Sequence, residues 1–159
     1  MTTDILHASE KTTSGTGMLT AKFYPKITNN DYLGIPRAFV TNREEVVLHT
    51  RQHISGNLYN MIQFRFRADI ENKRYEFQAD NPATPSVLRY WHHNNELASD
   101  ENVGHIDIED FDFEKGTLKA TFNFTIIYPP TGPRIQVIGT IDVAGMEIEE
   151  AGARSGLFA

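Results

Sequence analysis

The sequence predicts an all-β fold, an antiparallel β-sandwich of about nine strands, with a flattened β-barrel as the alternative. Apolar and polar residues alternate along most of the chain from Met18 onward, which places the apolar side chains of an extended strand on one face. Turn-forming residues separate these short segments, and no segment has the spacing of an amphipathic helix. This combination is typical of sandwiches and barrels.

The clearest predicted strand covers residues 117–126. Every second residue in it is apolar, namely Leu118, Ala120, Phe122, Phe124 and Ile126. An extended strand gathers these side chains on one face, whereas a helix would scatter them around its axis. We therefore expect this face to line the core.

The same alternation predicts a hairpin of residues 62–68 and 75–79, joined by a turn at residues 70–73. Gly116 is suited to the positive φ of the turn that precedes residues 117–126. Further strands are predicted at residues 105–109, 135–143, 19–24, 38–41, 46–51 and 87–92. Because proline cannot donate to a strand ladder, the predicted loops are the proline-containing segments 29–37, 80–86 and 129–133.

The length of 159 residues fits a single domain. Residues 1–17 are small and polar, and they predict an N-terminal arm that is flexible or held by a partner. Residues 18–145 carry the strand pattern and form the predicted β domain. Residues 146–159 form a C-terminal tail that begins with acidic residues.

Charge and composition exclude several classes of function. The formal net charge of −6 opposes binding to nucleic acid or to anionic lipid, since both need concentrated lysine and arginine. The chain has no cysteine, which excludes thiol catalysis, disulfides and cysteine-ligated zinc. The first residues lack the basic and apolar regions of a signal peptide, so none is expected, and no apolar run reaches the roughly 20 residues that span a bilayer. We expect a cytoplasmic protein without a cofactor and without membrane insertion, and non-classical export is the alternative location.

Residues Tyr90, Trp91, His92, His93 and Asn94 form the predicted contact site for a ligand or partner. Aromatic rings beside polar side chains suit stacking on a carbohydrate or on a partner surface. Trp91 is the single tryptophan of the chain, and its packing in the core is the alternative. His92 and His93 are consecutive, so on a strand they point to opposite faces and do not predict a shared metal ion.

His49 and His53 are four residues apart, a spacing that suits metal binding on a helix. On a strand the two side chains would share a face about 13 Å apart, which is too far for one ion. We expect both to be solvated residues at a strand edge.

The acidic run from Asp107 to Glu114 suggests two weaker hypotheses. Asp110, Asp112 and Glu114 distantly resemble a calcium loop, which needs several oxygens around a tight bend. Glycoside hydrolysis would need two carboxylates about 5–9.5 Å apart across a cleft. A solvated strand and turn is the simpler interpretation, so no metal site is predicted.

Arg65 and Arg67 share one face of their predicted strand, and Lys73 and Arg74 follow in the next turn. Their predicted role is pairing with acidic residues on neighbouring strands. Binding of an anion or another ligand is the alternative.

The second half of the chain resembles a poorly characterised family of small bacterial β-domain proteins, many of them lipoproteins. The resemblance covers about residues 58–145. It is carried by the segments 74–77 (RYEF), 103–112 (VGHIDIEDFD), 115–124 (KGTLKATFNF) and 138–143 (IGTIDV). The chain departs from the family in having no lipobox cysteine and in placing Ile141 where an aromatic residue is usual. The resemblance implies a β domain and brings no established activity or site residues.

Motifs of nucleophilic or zinc catalysis are missing from the sequence. We therefore expect a non-catalytic binding or assembly module that uses loops and edge strands, with a protein partner or a second copy of the chain. The alternative is a β-barrel carrier of a small apolar or amphipathic ligand, with a cavity lined by Phe64, Phe66, Phe77, Phe122 and Phe124. A third hypothesis is a hydrolase that uses the acids of residues 107–114.

Overall fold

The computed structural model describes residues 14–26, 31–56, 58–78, 85–92, 95–127, 134–149 and 158, with only the backbone described for residues 86–92, 95–103 and 127. These residues form an all-β structure without helices. The strands are β1 (Thr16–Tyr24), β2 (Tyr32–Thr41), β3 (Glu45–Ser55), β4 (Leu58–Arg67), β5 (Arg74–Glu76), β6 (Ser86–His92), β7 (Asn95–Asp112), β8 (Thr117–Ile127), β9 (Arg134–Ala144) and β10 (Glu147–Ile148).

The strands form one curled sheet in the order β1-β9-β8-β7-β6-β4-β3-β2-β10, and β5 pairs with β7. All pairs are antiparallel except that of β10 with β2. β1 pairs with β9 along its whole length and also with residues 32–34 of β2. Following the paired strands from β1 through β9 to β2 therefore leads back to β1. The predicted all-β antiparallel class is confirmed.

Two strands change partners along their length. β2 pairs with β1 through residues 32–34 and with β3 from Ile35 to Thr41. β7 pairs with β6 through residues 95–97 and with β8 from Ala98 onward. These two strands connect the two halves of the curled sheet.

The core lies on the inner face of the sheet. The alternating residues of β8, Leu118, Ala120, Phe122, Phe124 and Ile126, are at most 2% exposed, which confirms the predicted inward face. The ring centroid of Phe122 lies 5.0 Å from that of Phe64 and 5.7 Å from that of Phe124. Aromatic side chains thus supply the centre of the core.

Gly139 makes room for one of these rings. It pairs with Phe122 on β8 and with Ala21 on β1. A Cβ atom at residue 139 would overlap both the ring of Phe122 and the carbonyl oxygen of Thr20. The glycine in the middle of β9 is therefore explained by close packing of a ring over the strand.

Two local predictions are wrong. β4 and β5 were expected to form a hairpin, but β4 pairs with β3 and β6 while β5 pairs with β7. The turn after β4 leads away to another part of the sheet, because pairing depends on long-range packing that the local pattern does not contain. The predicted loop at residues 29–37 is also wrong for residues 32–37, which belong to β2. Pro36 is accommodated because the register shifts beside it in a β-bulge.

The turn between β7 and β8 is confirmed. Gly116 has a φ of 67°, and its backbone N–H donates to the carbonyl oxygen of Asp112 at 2.8 Å. The carboxylate of Asp112 accepts from the backbone N–H of Lys115 at 2.9 Å. Side-chain capping of this kind is a common role for aspartate in turns.

The end of the predicted N-terminal arm is tied to β2. Thr16 begins β1, and the Ser14 hydroxyl accepts from the backbone N–H of Phe39 at 2.9 Å. The hydroxyl also donates to the carbonyl oxygen of Phe39 at 3.3 Å. Residues 1–13 lie outside the described residues, as do most of the predicted loops 80–86 and 129–133.

On the exposed face of β5 and β7, Arg74 and Asp107 form a two-pronged ion pair. Nε of Arg74 donates to Oδ1 of Asp107 at 2.7 Å, and Nη2 donates to Oδ2 at 3.0 Å. The hydrogen bonds and charge of Arg74 hold the pKa of Asp107 below its ordinary value. The ionised carboxylate is therefore stabilised by the fold.

Replacing Asp107 with asparagine should cause a modest loss of stability at neutral pH. Because the folded pKa is depressed, the contribution of Asp107 is present above its unfolded pKa of about 3.9 and is lost as the pH falls through the lower folded pKa. Urea midpoints of parent and Asp107→Asn should thus converge in acid. Glu109→Gln, which changes an exposed acid on the same strand, is the control. If the urea midpoints of the parent and Asp107→Asn differ by the same amount at every pH, the stabilising role of the ionised Asp107 is contradicted.

Candidate binding surface

The strands β2, β3 and β4 are buried on both faces. On β3, Val46 and Leu48 face the core, and Val47 and His49, which alternate with them, are equally buried on the opposite side. We call this opposite side the outer face, and it is formed by Ala38, Val40, Val47, His49, Arg51, Gln63 and Arg65. An antiparallel sheet with only one buried face would have solvated polar residues on this side.

One part of the outer face is apolar. Ala38, Val40 and Val47 form a separate buried cluster, and Phe158 packs against it. The side chain of Phe158 is itself half-buried. An aromatic residue from the end of the chain therefore covers apolar surface on β2 and β3.

The short strand β10 brings the chain to this region. Glu147 and Ile148 pair in parallel with Val40 and Thr41, and the backbone N–H of Glu149 donates to the carbonyl oxygen of Thr41 at 2.7 Å. Partial burial raises the pKa of the Glu149 carboxyl. The segment after β9 is thus attached to the end of β2.

The other part of the outer face is a buried polar cluster. Nε2 of His49 accepts from Nε of Arg51 at 3.1 Å, and Nδ1 lies 2.7 Å from Oε1 of Gln63. Because Nε2 accepts, the ring proton is on Nδ1, which donates to Gln63. The guanidinium of Arg51 lies over the ring of Tyr59, 4.2 Å from its centroid, and the residue is only 7% exposed.

Arg37 lies beside this cluster. It is the extra residue of the bulge in β2, between the pairs Pro36–Thr50 and Ala38–His49. Its Nε atom is buried and has no hydrogen-bond partner. Bulges often redirect a side chain next to a functional site.

The predictions for the two histidines of β3 have different outcomes. His53 is exposed, as expected, whereas the prediction of a solvated His49 is wrong because this residue is fully buried in the polar cluster. The unbroken apolar run Val46–Val47–Leu48 is the sequence feature that indicates this burial, since such runs are typical of strands buried on both faces.

The predicted contact residues adjoin the outer face through the backbone. Trp91 on β6 pairs with Met61 on β4, and Met61 pairs with Arg51 on β3. The side chains of Tyr90, Trp91 and His92 lie outside the described part of the structure, as do His93 and Asn94 entirely. Their contact role stays a prediction.

The acidic run of β7 gives no support to a metal site. Asp112 caps the following turn, and Asp110 pairs in register with Lys119. Among the described residues, no group of three or more histidine, aspartate or glutamate side chains could hold a metal ion.

Arg65 and Arg67 pair with acids in two ways. Nε of Arg65 lies 4.0 Å from Glu45 on the neighbouring strand, whereas Nε of Arg67 lies 3.0 Å from Asp69 just beyond its own strand. Pairing with acids is as predicted; the pair of Arg65 and the pair of Arg74 with Asp107 cross between strands, whereas that of Arg67 does not.

The structure defines an all-β protein with a curled antiparallel sheet that is buried on both faces at β2–β4. In the described ranges, no helix is long and apolar enough to cross a membrane. Comparison of the chain with protein-family models, curated proteins and solved structures finds no significant match. The resemblance to small bacterial β-domain proteins therefore stays a prediction.

Proposed function

We propose that the protein is a non-catalytic binding module and that the outer face is its binding surface for a peptide segment with an aromatic side chain. The observation that carries this proposal is the packing of Phe158 on Ala38, Val40 and Val47. The proposal is supported by this contact, in which an aromatic side chain from a segment far along the chain packs on the surface.

The composition of the outer face supports this function. An apolar floor lies beside polar groups whose positions are fixed by the hydrogen bonds among His49, Arg51 and Gln63. Recognition surfaces combine apolar contact area with a few well-placed polar groups in the same way. Rigid strands also hold such groups more accurately than loops do.

Residues 90–94 extend this surface in our proposal. Residues 90–92 are the last residues of β6, which pairs with β4, and residues 93 and 94 come next in the chain, so these residues would border a ligand on the outer face. Assembly through edge strands has less support, because β1, β2, β3, β4, β6, β7, β8 and β9 each have partners on both sides over part of their length. Self-association through residues 1–17 stays a prediction.

For the architecture, we infer a flattened barrel in preference to a sandwich. The support is the pairing order, in which β1 meets β2 after the sheet has passed through all the intermediate strands. The partner changes of β2 and β7 would form the two corners of such a barrel.

The two alternative functions have less support. A ligand carrier needs space between its inner rings, but the centroid of Phe64 lies only 5.0 Å from Phe122 and 6.3 Å from Phe124. A hydrolase needs an acid with a raised pKa, whereas Arg74 lowers the pKa of Asp107.

Replacing Phe158 with alanine in the full chain should expose the apolar part of the outer face. A fluorescein-labelled synthetic peptide of residues 147–159 should then bind this variant about tenfold more tightly than it binds the parent, in which Phe158 occupies the site. Fluorescence anisotropy measures the affinity, and NMR shifts at Val40 and Val47 locate the peptide.

The matched control is Ile138→Ala, which removes an exposed apolar side chain from β9. This variant should bind the peptide no better than the parent. A labelled peptide with alanine at position 158 should lose its binding to Phe158→Ala. Equal peptide affinity of Phe158→Ala and the parent would refute the proposed surface.

A further inference from the structure

We propose that the outward side of β1, β9 and the start of β2 binds a second copy of this chain, which gives a two-fold symmetric dimer. We call this surface the β1–β9 face, and it lies on the side of these strands opposite the core. The inference goes beyond the proposed function and does not rest on it, because the site of Phe158 is formed by Ala38, Val40 and Val47.

Exposed apolar side chains are concentrated on the β1–β9 face. Along β1, Leu19, Ala21 and Phe23 are buried in the core, so the residues that alternate with them point outward. Concentrated exposed apolar surface marks a contact site for another protein. Of the eight large apolar residues that are exposed in the described part of the chain, five lie on this face, namely Met18, Tyr24, Leu33, Ile35 and Ile138.

The register of the strands brings these side chains close together. Leu33 lies opposite Thr20, and Met18 is two residues before Thr20 on the same side of β1. Ile138 on β9 lies opposite Lys22, which is two residues after Thr20. Opposite and diagonal neighbours in a sheet are at most about 8 Å apart, so apolar side chains surround Thr20.

The centre of the face carries a polar pair that is already hydrogen-bonded. The hydroxyl oxygens of Thr20 and Thr140 are 2.9 Å apart, and one hydroxyl donates to the other. A hydroxyl that keeps a partner within its own chain costs less to bury than one that loses its only hydrogen bond. The middle of the face is therefore suited to burial against a second copy.

Two opposite charges lie symmetrically about this threonine pair. Lys22 follows Thr20 by two residues on β1, and Asp142 follows Thr140 by two residues on the antiparallel β9. Strand spacings place the two Cα atoms about 14 Å apart, too far for an ion pair within one copy. A two-fold axis in the plane of the face, through the middle of the threonine pair, brings each Lys22 over Asp142 of the second copy. Complementary charges at symmetric positions favour a second copy over an unrelated partner.

Asp142 is accessible to a lysine of the second copy. It pairs in register with Lys119 on β8, but Lys119 also lies opposite Asp110 on β7. Among the ion pairs of the described residues, none joins Lys119 to either acid. A recess lined by residues 16–18 and 142–144 adjoins Asp142 and provides space for the incoming side chain.

The size of the face is suited to a reversible dimer. β1 has nine residues, so with its neighbours β2, β9 and β8 it spans a surface of about 30 by 20 Å, or about 600 Å². Stable interfaces bury about 800 Å² on each partner, so we expect dissociation in the range of about 10 μM.

Sedimentation velocity of the full chain tests the proposal. Between about 1 and 300 μM, the mean mass should rise from that of the 18.0 kDa monomer toward twice this value. Leu33→Glu, which would bury a carboxylate in the contact, should weaken the association at least about tenfold. The control is Lys73→Glu, which changes an exposed lysine in the turn before β5 and should leave the association unchanged. Thermal melts establish that each variant is folded.

The two charges test the symmetry of the dimer. Lys22→Glu and Asp142→Lys should each weaken self-association about tenfold, because each variant places like charges opposite one another at two positions. An equimolar mixture of the two variants should associate nearly as tightly as the parent, because both positions of the mixed dimer again hold opposite charges.

Three results would overturn the proposal. A parent chain that stays monomeric at about 300 μM would do so, as would a Leu33→Glu variant that associates as tightly as the parent. A mixture of Lys22→Glu and Asp142→Lys that associates no better than either variant alone would show that these charges do not face each other in a dimer. Peptide binding by Phe158→Ala is measured separately, so each of these results leaves the proposed function intact.

Discussion

Replacing Phe122 with alanine should lower the free energy of unfolding by about 3–5 kcal/mol. The ring lies at the centre of the core, where it packs against Phe64 and Phe124 and covers Gly139. Its removal leaves a cavity that the surrounding strands cannot close, because each is held in register by two neighbours. Urea denaturation followed by circular dichroism measures the loss.

The control is Asn123→Ala, one residue further along β8 and on the opposite face. Its side chain lies outside the core, so the expected loss is within about 0.5 kcal/mol. If Phe122→Ala lowers the free energy of unfolding by no more than this, the apolar residues of β8 have been assigned to the wrong face.

The strands whose apolar residues alternate could be predicted from the sequence. β8 and β9 each place every second residue in the core, so a period of two identifies both the strand and its buried face. β2 could not be predicted in full. Gly34 and Pro36 are typical of loops, but the ring of Tyr32 packs over Gly34 and the bulge accommodates Pro36.

The pairing of the strands could not be predicted from local sequence patterns. The turn after β4 resembles a hairpin turn, yet β5 pairs with β7, where Arg74 meets Asp107. Such pairings depend on contacts between distant segments, and no local alternation distinguishes one partner from another. The curled order of the sheet therefore emerged only from the structure.

The candidate surface was predicted only at its border. Residues 90–94 were identified by their aromatic and polar composition, and β6 does adjoin β4. The centre of the surface was missed because His49 and Arg51 have the polar character of a solvated face. The burial of β3 on both faces was indicated only by the unbroken apolar run Val46–Val47–Leu48, which lies beside these two residues.

Replacing His49 with leucine should lower the free energy of unfolding by about 3 kcal/mol. The substitution removes the acceptor of Arg51 Nε and the donor to Gln63 Oε1 while keeping an apolar side chain of similar size. Both remaining groups stay buried, so the loss comes from unpaired polar atoms and not from a cavity. Urea denaturation of the full chain measures it.

The triple variant His49→Leu, Arg51→Met and Gln63→Leu separates stability from binding. Replacing a complete buried polar cluster with apolar residues often restores stability, so this variant should return to within about 1 kcal/mol of the parent. If it does, the fold does not require the cluster, and loss of binding of the peptide of residues 147–159 in the Phe158→Ala background would assign the cluster to recognition. A triple variant as unstable as His49→Leu would instead make the cluster a requirement of the fold, because apolar packing could not replace it.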